Sequence, residues 1–140
     1  MPRAFFFHSH WINTMQRCVA ICFLLIAWVA PVTAQLQRNF PAMALRAEMQ
    51  ITLPPQLLLN GRDARLAPGA RIRDENNFLT MSGSLADRRL VIHYTLNNEG
   101  LLLDVWVLTP AEMAKQPWPR SLEEARTWVF DPIDQSWTKP

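Results

Sequence analysis

The most regular pattern in the chain is a pair of apolar runs separated by a short polar loop. The pair spans Leu90–Thr109 and is rich in the branched and aromatic side chains that favour β-strands. The loop contains Asn97, Asn98 and Gly100, which tolerate the left-handed backbone of a tight hairpin. The second run is apolar on both faces, so the pattern predicts a β-hairpin in the middle of a small closed sheet.

Strict alternation of apolar and polar residues predicts a half-buried strand from Leu45 to Leu53. A helix is the alternative, because Ala, Met, Leu, Arg and Glu are all good helix formers. After Pro54-Pro55, the runs 56–59 and 62–66 flank Asn60-Gly61, the strongest short signal for a hairpin turn. These two runs are therefore predicted to pair with each other.

Two more short strands are predicted before the central hairpin. Pro68-Gly69 predicts a turn, followed by a strand over 70–73. The polar loop 74–77 leads to a further strand over 78–81, which ends before Ser82-Gly83-Ser84. Asp74–Asn77 offers oxygen ligands for Ca²⁺, but it lacks the spacing of an EF-hand loop, and a turn closed by its own Asp and Asn side chains is the preferred interpretation.

Helix signals appear only after the central hairpin. Thr109 as N-cap, Pro110 at the first helical position and Glu112 three residues after the cap predict a helix that ends near Gln116, because Pro117 forbids its continuation. The same capping pattern at Ser121 predicts a second helix.

The second helix is predicted to run until Asp131-Pro132. Beyond it, Ile133 and Trp137 are apolar residues that could dock the tail on the sheet. The predicted fold is mostly β: a small antiparallel β-barrel or curved sheet of five to seven strands with one or two short C-terminal helices. Residues 44–109 form the β domain in this prediction, and residues 110–140 form the helices and tail packed on it.

The N-terminal region has the three parts of a secretory signal peptide. Arg17 precedes an unbroken run of 13 apolar residues over 18–30, and small residues follow up to Ala34. Residues 1–34 are therefore predicted to be a signal helix removed by cleavage between Ala34 and Gln35, with export to the periplasm. An uncleaved anchor is the weaker alternative, because a membrane span needs about 20 apolar residues. Residues 35–43 are predicted to be a tether.

Met15 is a possible true start, because Met15-Gln16-Arg17 would open a more compact signal than the aromatic stretch before it. Cleavage removes Cys18 and Cys22, so the mature chain has no thiol and no disulfide. Cleavage also removes two of the 14 basic residues, which leaves 12 against 12 acidic residues. Zero net charge gives no argument for nucleic-acid binding.

Few catalytic groups remain in the mature chain. His93 is its only histidine, which excludes a His-rich zinc site. Ser82 and Ser84 flank Gly83, but the glycine pattern of a nucleophile elbow is absent. A small hydrolase using His93 with Ser82 or Ser84 is the alternative function, while an ordinary strand histidine is the preferred interpretation. No catalytic residue, cofactor or metal is predicted.

Arginines and one tryptophan are the candidate contacts for a partner. Arg71 and Arg73 lie two residues apart, share a strand face, and belong to a group that could bind an anionic ligand: Arg62, Arg65, Arg71, Arg73, Arg88 and Arg89. Acidic residues stand beside them, so local ion pairs are the preferred interpretation. Trp118 lies between two prolines that should hold it extended and exposed, which makes it the best single candidate.

Leu66–Arg73 and Val105–Pro110, with Asn60-Gly61 upstream, resemble a group of small, exported, uncharacterised proteins of Gram-negative bacteria. The likeness covers most of Leu53–Pro119. It implies export but no activity and no catalytic residues. The layout also looks like small periplasmic barrels of the OB or SH3 type, a likeness of fold that carries no function.

The preferred function is therefore a non-catalytic accessory or binding protein of the envelope. It would bind an envelope protein or polymer through an open strand edge or through the Trp118 segment. It would contact membrane only through the signal peptide before cleavage, and it would not bind nucleic acid. A self-assembling structural subunit is the other alternative.

Overall fold

A computed structural model of the chain describes residues 37–140. The predicted signal peptide, the cleavage site between Ala34 and Gln35 and the possible start at Met15 lie outside the described residues. Among residues 37–140, no helix is both long enough and apolar enough to cross a bilayer.

The described residues form eight strands and two short α-helices. The strands are β1 (Leu45–Ile51), β2 (Gln56–Leu59), β3 (Arg62–Arg73), β4 (Leu79–Thr80), β5 (Arg89–Leu96), β6 (Leu102–Val107), β7 (Val129–Asp131) and β8 (Ser136–Thr138). The helices are α1 (Pro110–Ala114) and α2 (Leu122–Thr127), and a single 3₁₀ turn covers Ser82–Leu85.

Five of these strands close into a small barrel. The strand order is β2-β1-β5-β6-β3, and β3 also pairs with β2, which closes the ring. All pairs in the ring are antiparallel except β3 with β6, which is parallel. The predicted fold class is confirmed, and the barrel is compatible with the small barrels of the OB and SH3 type. The single parallel pair is the departure from a purely antiparallel barrel.

Period-two patterning decides the conformation of β1. Leu45, Ala47, Met49 and Ile51 point into the barrel and are buried, while Arg46 and the next alternate residues point outwards. The strand prediction is therefore confirmed and the helix alternative is wrong. The inner core is completed by apolar side chains of the other strands and the 3₁₀ turn: Leu57, Leu66, Ile72, Leu85, Ile92, Tyr94, Leu102, Val105 and Val107.

The predicted turn at Pro68-Gly69 is wrong, because β3 passes through it as one long strand. The register between β3 and β6 shifts between Leu66 and Arg71, and Gly69 has a φ of +76°. Gly69 therefore supplies a bulge and not a chain reversal. Strand β3 pairs with β2 over Arg62–Arg65 and with β6 on both sides of this bulge, at Leu66 and over Arg71–Arg73.

Replacing Gly69 with alanine should lower the free energy of unfolding by about 1–2 kcal/mol, because an L-residue pays a steric penalty in left-handed backbone. No heavy atom lies within 4 Å of the added Cβ, so the cost is conformational. Urea unfolding of the two proteins measures it. Gly83→Ala is the matched control, since Gly83 also has open space but no positive φ. Equal losses for the two variants would contradict the bulge assignment.

The first helix begins as predicted. The Thr109 hydroxyl accepts a hydrogen bond from the Glu112 N–H, and the Glu112 carboxylate accepts one from the Thr109 N–H, which together form a capping box. The second helix begins after Ser121 but ends at Thr127, earlier than predicted. The chain then forms the β7–β8 hairpin, which the sequence analysis missed.

A second core lies on the outer face of the barrel. This outer core consists of Phe40, Ala44, Leu108, Trp118 and Trp137, with partly buried residues around it. Phe40 belongs to the region predicted as a tether, and its side chain is buried. Of the two residues expected to dock the tail, Trp137 is buried and Ile133 is exposed. Residues 110–140 therefore cover one side of the barrel, and they are called the strap below.

Candidate functional site

His93 lies on the outward side of β5 and is completely buried beneath the strap. Its ring stacks on the indole of Trp118, with the ring centroids 3.9 Å apart and the planes 21° apart. Phe40 contacts the imidazole edge-on at 4.5 Å. The only histidine among residues 37–140 is thus enclosed by aromatic rings and has no access to solvent.

Arg46 is the polar centre of this cluster. It stands opposite His93 in the β1–β5 pairing, and its Nε–H donates to His93 Nε2 at 3.1 Å. Its two terminal nitrogens donate to the carbonyl oxygens of Glu112, Met113 and Lys115 at 2.9, 3.1 and 2.9 Å. Those carbonyls belong to the C-terminal turn of α1, where most carbonyl groups lack helical partners, although that of Glu112 also accepts from the Lys115 N–H. Arg46 therefore joins the barrel to the strap.

The surroundings fix the protonation state of both groups. Burial, then the charges of Arg46 and Arg38, lower the pKa of His93 to about 2, so its ring is neutral at ordinary pH. Because Nε2 accepts a hydrogen bond from Arg46, the ring proton lies on Nδ1. Burial also lowers the pKa of Arg46 to about 10, which leaves it charged at neutral pH.

The structure does not assemble the residues of the predicted hydrolase alternative. The Ser84 hydroxyl donates to the Met81 carbonyl oxygen at 2.7 Å and lies 3.0 Å from the Thr80 hydroxyl. Ser82 begins the 3₁₀ turn that contains Ser84. Neither serine has a hydrogen bond to His93 among the described contacts, and no carboxylate contacts the imidazole Nδ1.

The exposure predicted for Trp118 is wrong, because only 5% of the residue is accessible to solvent. Its Nε1–H donates to the Ala44 carbonyl oxygen at 2.9 Å, and the Arg46 guanidinium lies 5.3 Å from its ring centroid. The flanking prolines do not hold the indole in solvent, because the segment 117–119 lies on the apolar outer face of the barrel. The indole is therefore not presented to a partner at the surface.

Arg71 and Arg73 lie on the same strand but have different contacts. Arg71 makes a bidentate ion pair with Asp104 of β6 at 2.8 and 3.1 Å, and this hydrogen bonding raises the pKa of Arg71. The acid that pairs with Arg71 is thus across the sheet and not beside it in sequence. Arg73 has only a 3.5 Å contact with the Asn77 carbonyl oxygen. The two arginines form no joint anion site in the described geometry.

Asp74 closes its own turn, as the preferred interpretation expected. Its Oδ1 accepts hydrogen bonds from the backbone N–H groups of Asn76 and Phe78, each at 2.9 Å. Within residues 37–140 no group of three or more His, Cys, Asp or Glu side chains is placed to hold a metal ion.

An apolar surface that the sequence analysis did not single out lies next to this turn. Phe78, Leu79 and Met81 are 70%, 65% and 83% exposed, and we call them the apolar edge. Strand β4 pairs only with β3, so its other side is open. The Asp74 N–H donates to the Phe78 carbonyl oxygen, so these two residues form a hydrogen-bonded pair. Hydrogen-bonded and non-hydrogen-bonded pairs alternate along antiparallel strands, so the next pair, Arg73 with Leu79, is not hydrogen-bonded. The N–H and C=O of Leu79 therefore face away from β3.

The signal for the apolar edge was present in the sequence. Residues 76–86 contain no charged residue and no proline. The sequence of a strand does not show which of its two sides will remain unpaired in the folded sheet. The strand could therefore be predicted, but its exposure could not.

Comparison of the chain with protein-family models, curated proteins and solved structures finds no match, and the resemblance to exported proteins of Gram-negative bacteria stays a prediction.

Proposed function

We propose that the protein is a non-catalytic, exported accessory protein of the envelope that binds another polypeptide through the apolar edge. The observation that carries this proposal is the exposure of three large apolar side chains within four consecutive residues, Phe78, Leu79 and Met81. Clustered exposed apolar side chains on a small domain are typical of a binding surface. The signal-peptide pattern of residues 1–34 supports the exported location.

The mode of binding follows from the backbone of β4. Leu79 turns its N–H and C=O outwards, so an extended polypeptide can pair with it as an added strand. The exposed side chains on either side would then supply apolar contacts with alternate residues of the partner. The five-stranded barrel is closed, so its own strands offer the partner no comparable open side.

The composition of the apolar edge supports a role in binding, because the edge lacks the residues that usually prevent a strand from pairing with another chain. In natural proteins, charged residues, proline or bulges usually prevent an edge strand from pairing with another chain. The β7–β8 hairpin follows this rule, because Asp131, Asp134 and Lys139 lie in or beside it. Residues 76–86 have no such residue, which leaves the apolar edge open to pairing.

The buried histidine supports the non-catalytic part of the proposal. A general base must reach the proton that it removes, and its pKa should lie near the working pH. His93 is enclosed by Arg46, Phe40 and Trp118, and its pKa is lowered to about 2. In this position the imidazole serves as a hydrogen-bond acceptor inside the outer core.

Leu79→Lys should reduce capture of the envelope partner at least tenfold, because a charge on the apolar edge must be desolvated when a strand is added. The measurement is a pull-down of purified protein from envelope extract, quantified for each captured protein. Ile133→Lys is the matched control, since Ile133 is 84% exposed on a different hairpin. Unchanged capture by Leu79→Lys, equal loss by Ile133→Lys, or no capture by the parent would each contradict the proposal.

Self-assembly through the same edge is the second candidate, favoured by the absence of charge in residues 76–86. Two copies of this segment could pair without bringing like charges together. Sedimentation of the parent over a range of concentrations distinguishes the candidates. Concentration-dependent mass that Leu79→Lys abolishes would establish self-assembly, and a constant monomer mass would exclude it.

A further inference from the structure

The strap is attached to the barrel by individual hydrogen bonds and apolar contacts and not by a strand ladder. Strands β7 and β8 form a separate two-stranded sheet and pair with no barrel strand in the described residues. The main attachments are the Arg46 guanidinium on three strap carbonyls, the Arg46 N–H on the Pro119 carbonyl oxygen and the Trp118 indole on the Ala44 carbonyl oxygen. The ring of five strands closes without the strap, and only Leu122 and Ala125 of α2 are strap residues that pack against the inner core.

His93 occupies the joint between the two parts. Its Nε2 accepts from Arg46 on the barrel, and its ring stacks on Trp118 of the strap. A protonated imidazole has donors on both nitrogens and accepts no hydrogen bond. Protonation would therefore place a donor against the Arg46 Nε–H and a second positive charge beside the guanidinium, in a site without solvent.

The charged groups around His93 increase this effect. Arg46 faces it from β1, and Arg38 acts on it from the segment before β1. Arg38 pairs with Glu112 of α1, with Nε 2.8 Å from Oε1, so that carboxylate is already occupied. Arg120 of the strap acts on Arg46. No acidic side chain contacts the imidazole among residues 37–140 to stabilise a positive charge there.

We infer that the strap is an acid-released cover: protonation of His93 frees residues 110–140 from the barrel and uncovers an aromatic surface that includes Trp106 and Phe40, while the barrel stays folded. This inference is independent of the proposed function, because it uses the opposite feature of the molecule, a covered surface and not an exposed one. It assigns His93 a conformational role in place of a catalytic one.

The direction and size of the effect follow from proton linkage. With the strap closed, the pKa of His93 is lowered from 6.5 to about 2. With the strap open, the burial that causes most of this shift is lost, but Arg46 stays opposite His93 in the β1–β5 pairing, so the pKa rises towards 6.5 without fully reaching it. The closed form is therefore fully favoured above pH 6.5, and the advantage is lost progressively as the pH falls towards 2. At pH 4.5 the opening equilibrium should be about 10-fold to 100-fold larger than at pH 8, and the upper figure applies if the pKa recovers completely.

No titratable group of the inner core gives the barrel a comparable response to acid. Its inner core is apolar apart from Tyr94, and burial raises the pKa of that phenol, which stays neutral in acid. Glu112 is the other acid-sensitive group at the joint. Burial alone would raise its pKa, but hydrogen bonds from Arg38 and Thr109 outweigh burial and lower it, so the carboxylate stays ionised to lower pH than usual.

Hydrogen-exchange mass spectrometry of the full chain at pH 8 and pH 4.5, corrected for intrinsic exchange rates, tests the inference. Peptides from the strap should show an opening equilibrium about 10-fold to 100-fold larger at the lower pH, and the Arg46 amide should lose protection with them, while peptides from β5 and β6 remain protected. Unchanged protection of the strap, or loss of protection in strap and barrel together, would overturn it.

His93→Gln assigns the effect to the imidazole, because the amide oxygen can still accept from Arg46 but does not titrate in acid. The response of the strap to pH should fall to a few-fold or less in this variant. Glu112→Gln serves as the second variant and covers the case in which His93→Gln fails to fold. Glu112→Gln should keep the response of the parent, and loss of that response in this variant would overturn the inference by assigning it to the Arg38–Glu112 pair.

Discussion

Replacing Arg46 with leucine is expected to lower the free energy of unfolding by about 4 kcal/mol, because a buried charged group with several hydrogen bonds is lost. The carbonyl oxygens of Glu112, Met113 and Lys115 would lose the Arg46 donor at the end of α1, and only that of Glu112 would keep a second donor, the Lys115 N–H. The His93 Nε2 would also lose its donor. Each of these acceptors is then left in a site that water reaches poorly, and the strap loses its main attachment.

Urea unfolding followed by tryptophan fluorescence is the measurement. The signal reports the outer core, because Trp106, Trp118, Trp128 and Trp137 all lie in it or pack against it. Arg65→Leu is the matched control: Arg65 is an exposed arginine of β3 without an ion pair in the described residues, and its loss should change stability by about 0.5 kcal/mol or less. Similar effects of the two substitutions would show that Arg46 does not join barrel and strap.

Arg46→Lys separates charge from geometry. A lysine ammonium keeps the positive charge but is a single point with three donors, whereas the planar guanidinium reaches three carbonyls and His93 at once. We therefore expect lysine to recover less than half of the loss. Full recovery would mean that the charge alone holds the strap.

The barrel could be predicted from sequence because its signals are local. Alternation in β1 determines which side chains enter the inner core, and Asn60-Gly61 determines the β2–β3 hairpin. Asn60 and Gly61 have φ values of 51° and 77°, the left-handed backbone that a two-residue turn requires. In the longer loop of the central hairpin, Gly100 alone has left-handed backbone, with a φ of 78°, and the Asn97 side chain accepts from the Glu99 and Leu101 N–H groups. Each of these elements is decided by residues close together in the chain.

The candidate site could not be predicted, because it depends on contacts between distant residues. Alternation places Arg46 on the polar face of β1, and in the structure both Arg46 and His93 lie on the outward faces of their strands. An outward position usually means solvent, and nothing in either strand shows that the chain returns over this face after residue 110. The burial of Trp118 was missed for the same reason, since the flanking prolines report only the local backbone. The apolar edge was missed because exposure depends on which strand closes the barrel.

Trp118→Ala is expected to lower the free energy of unfolding by about 4 kcal/mol, within the usual cost of truncating a buried aromatic side chain. The indole fills the centre of the outer core between His93, Phe40 and Trp137, with centroid distances of 3.9, 5.9 and 6.2 Å. Its removal leaves a cavity over His93 and an unpaired carbonyl at Ala44. The loss should therefore come from both packing and hydrogen bonding.

Two further variants divide that loss, again measured by urea unfolding. Trp118→Phe keeps an aromatic ring but removes the Nε1–H, so it should cost about 1 kcal/mol beyond the change in ring size. Trp128→Ala is the control for a half-buried tryptophan whose ring contacts Lys139, and it should cost clearly less than Trp118→Ala. Equal losses for Trp118→Ala and Trp128→Ala would contradict the central place given to Trp118.

Trp118→Phe also distinguishes a partner that binds the apolar edge from one that binds the strap. If Trp118 acts inside the outer core, Trp118→Phe should bind the envelope partner as the parent does, because the apolar edge is unchanged. Leu79→Lys should show the reverse, with parental stability and weak capture. Loss of capture by a folded Trp118→Phe would place the partner on the strap, and the surface uncovered in acid would then be the binding surface in place of the apolar edge.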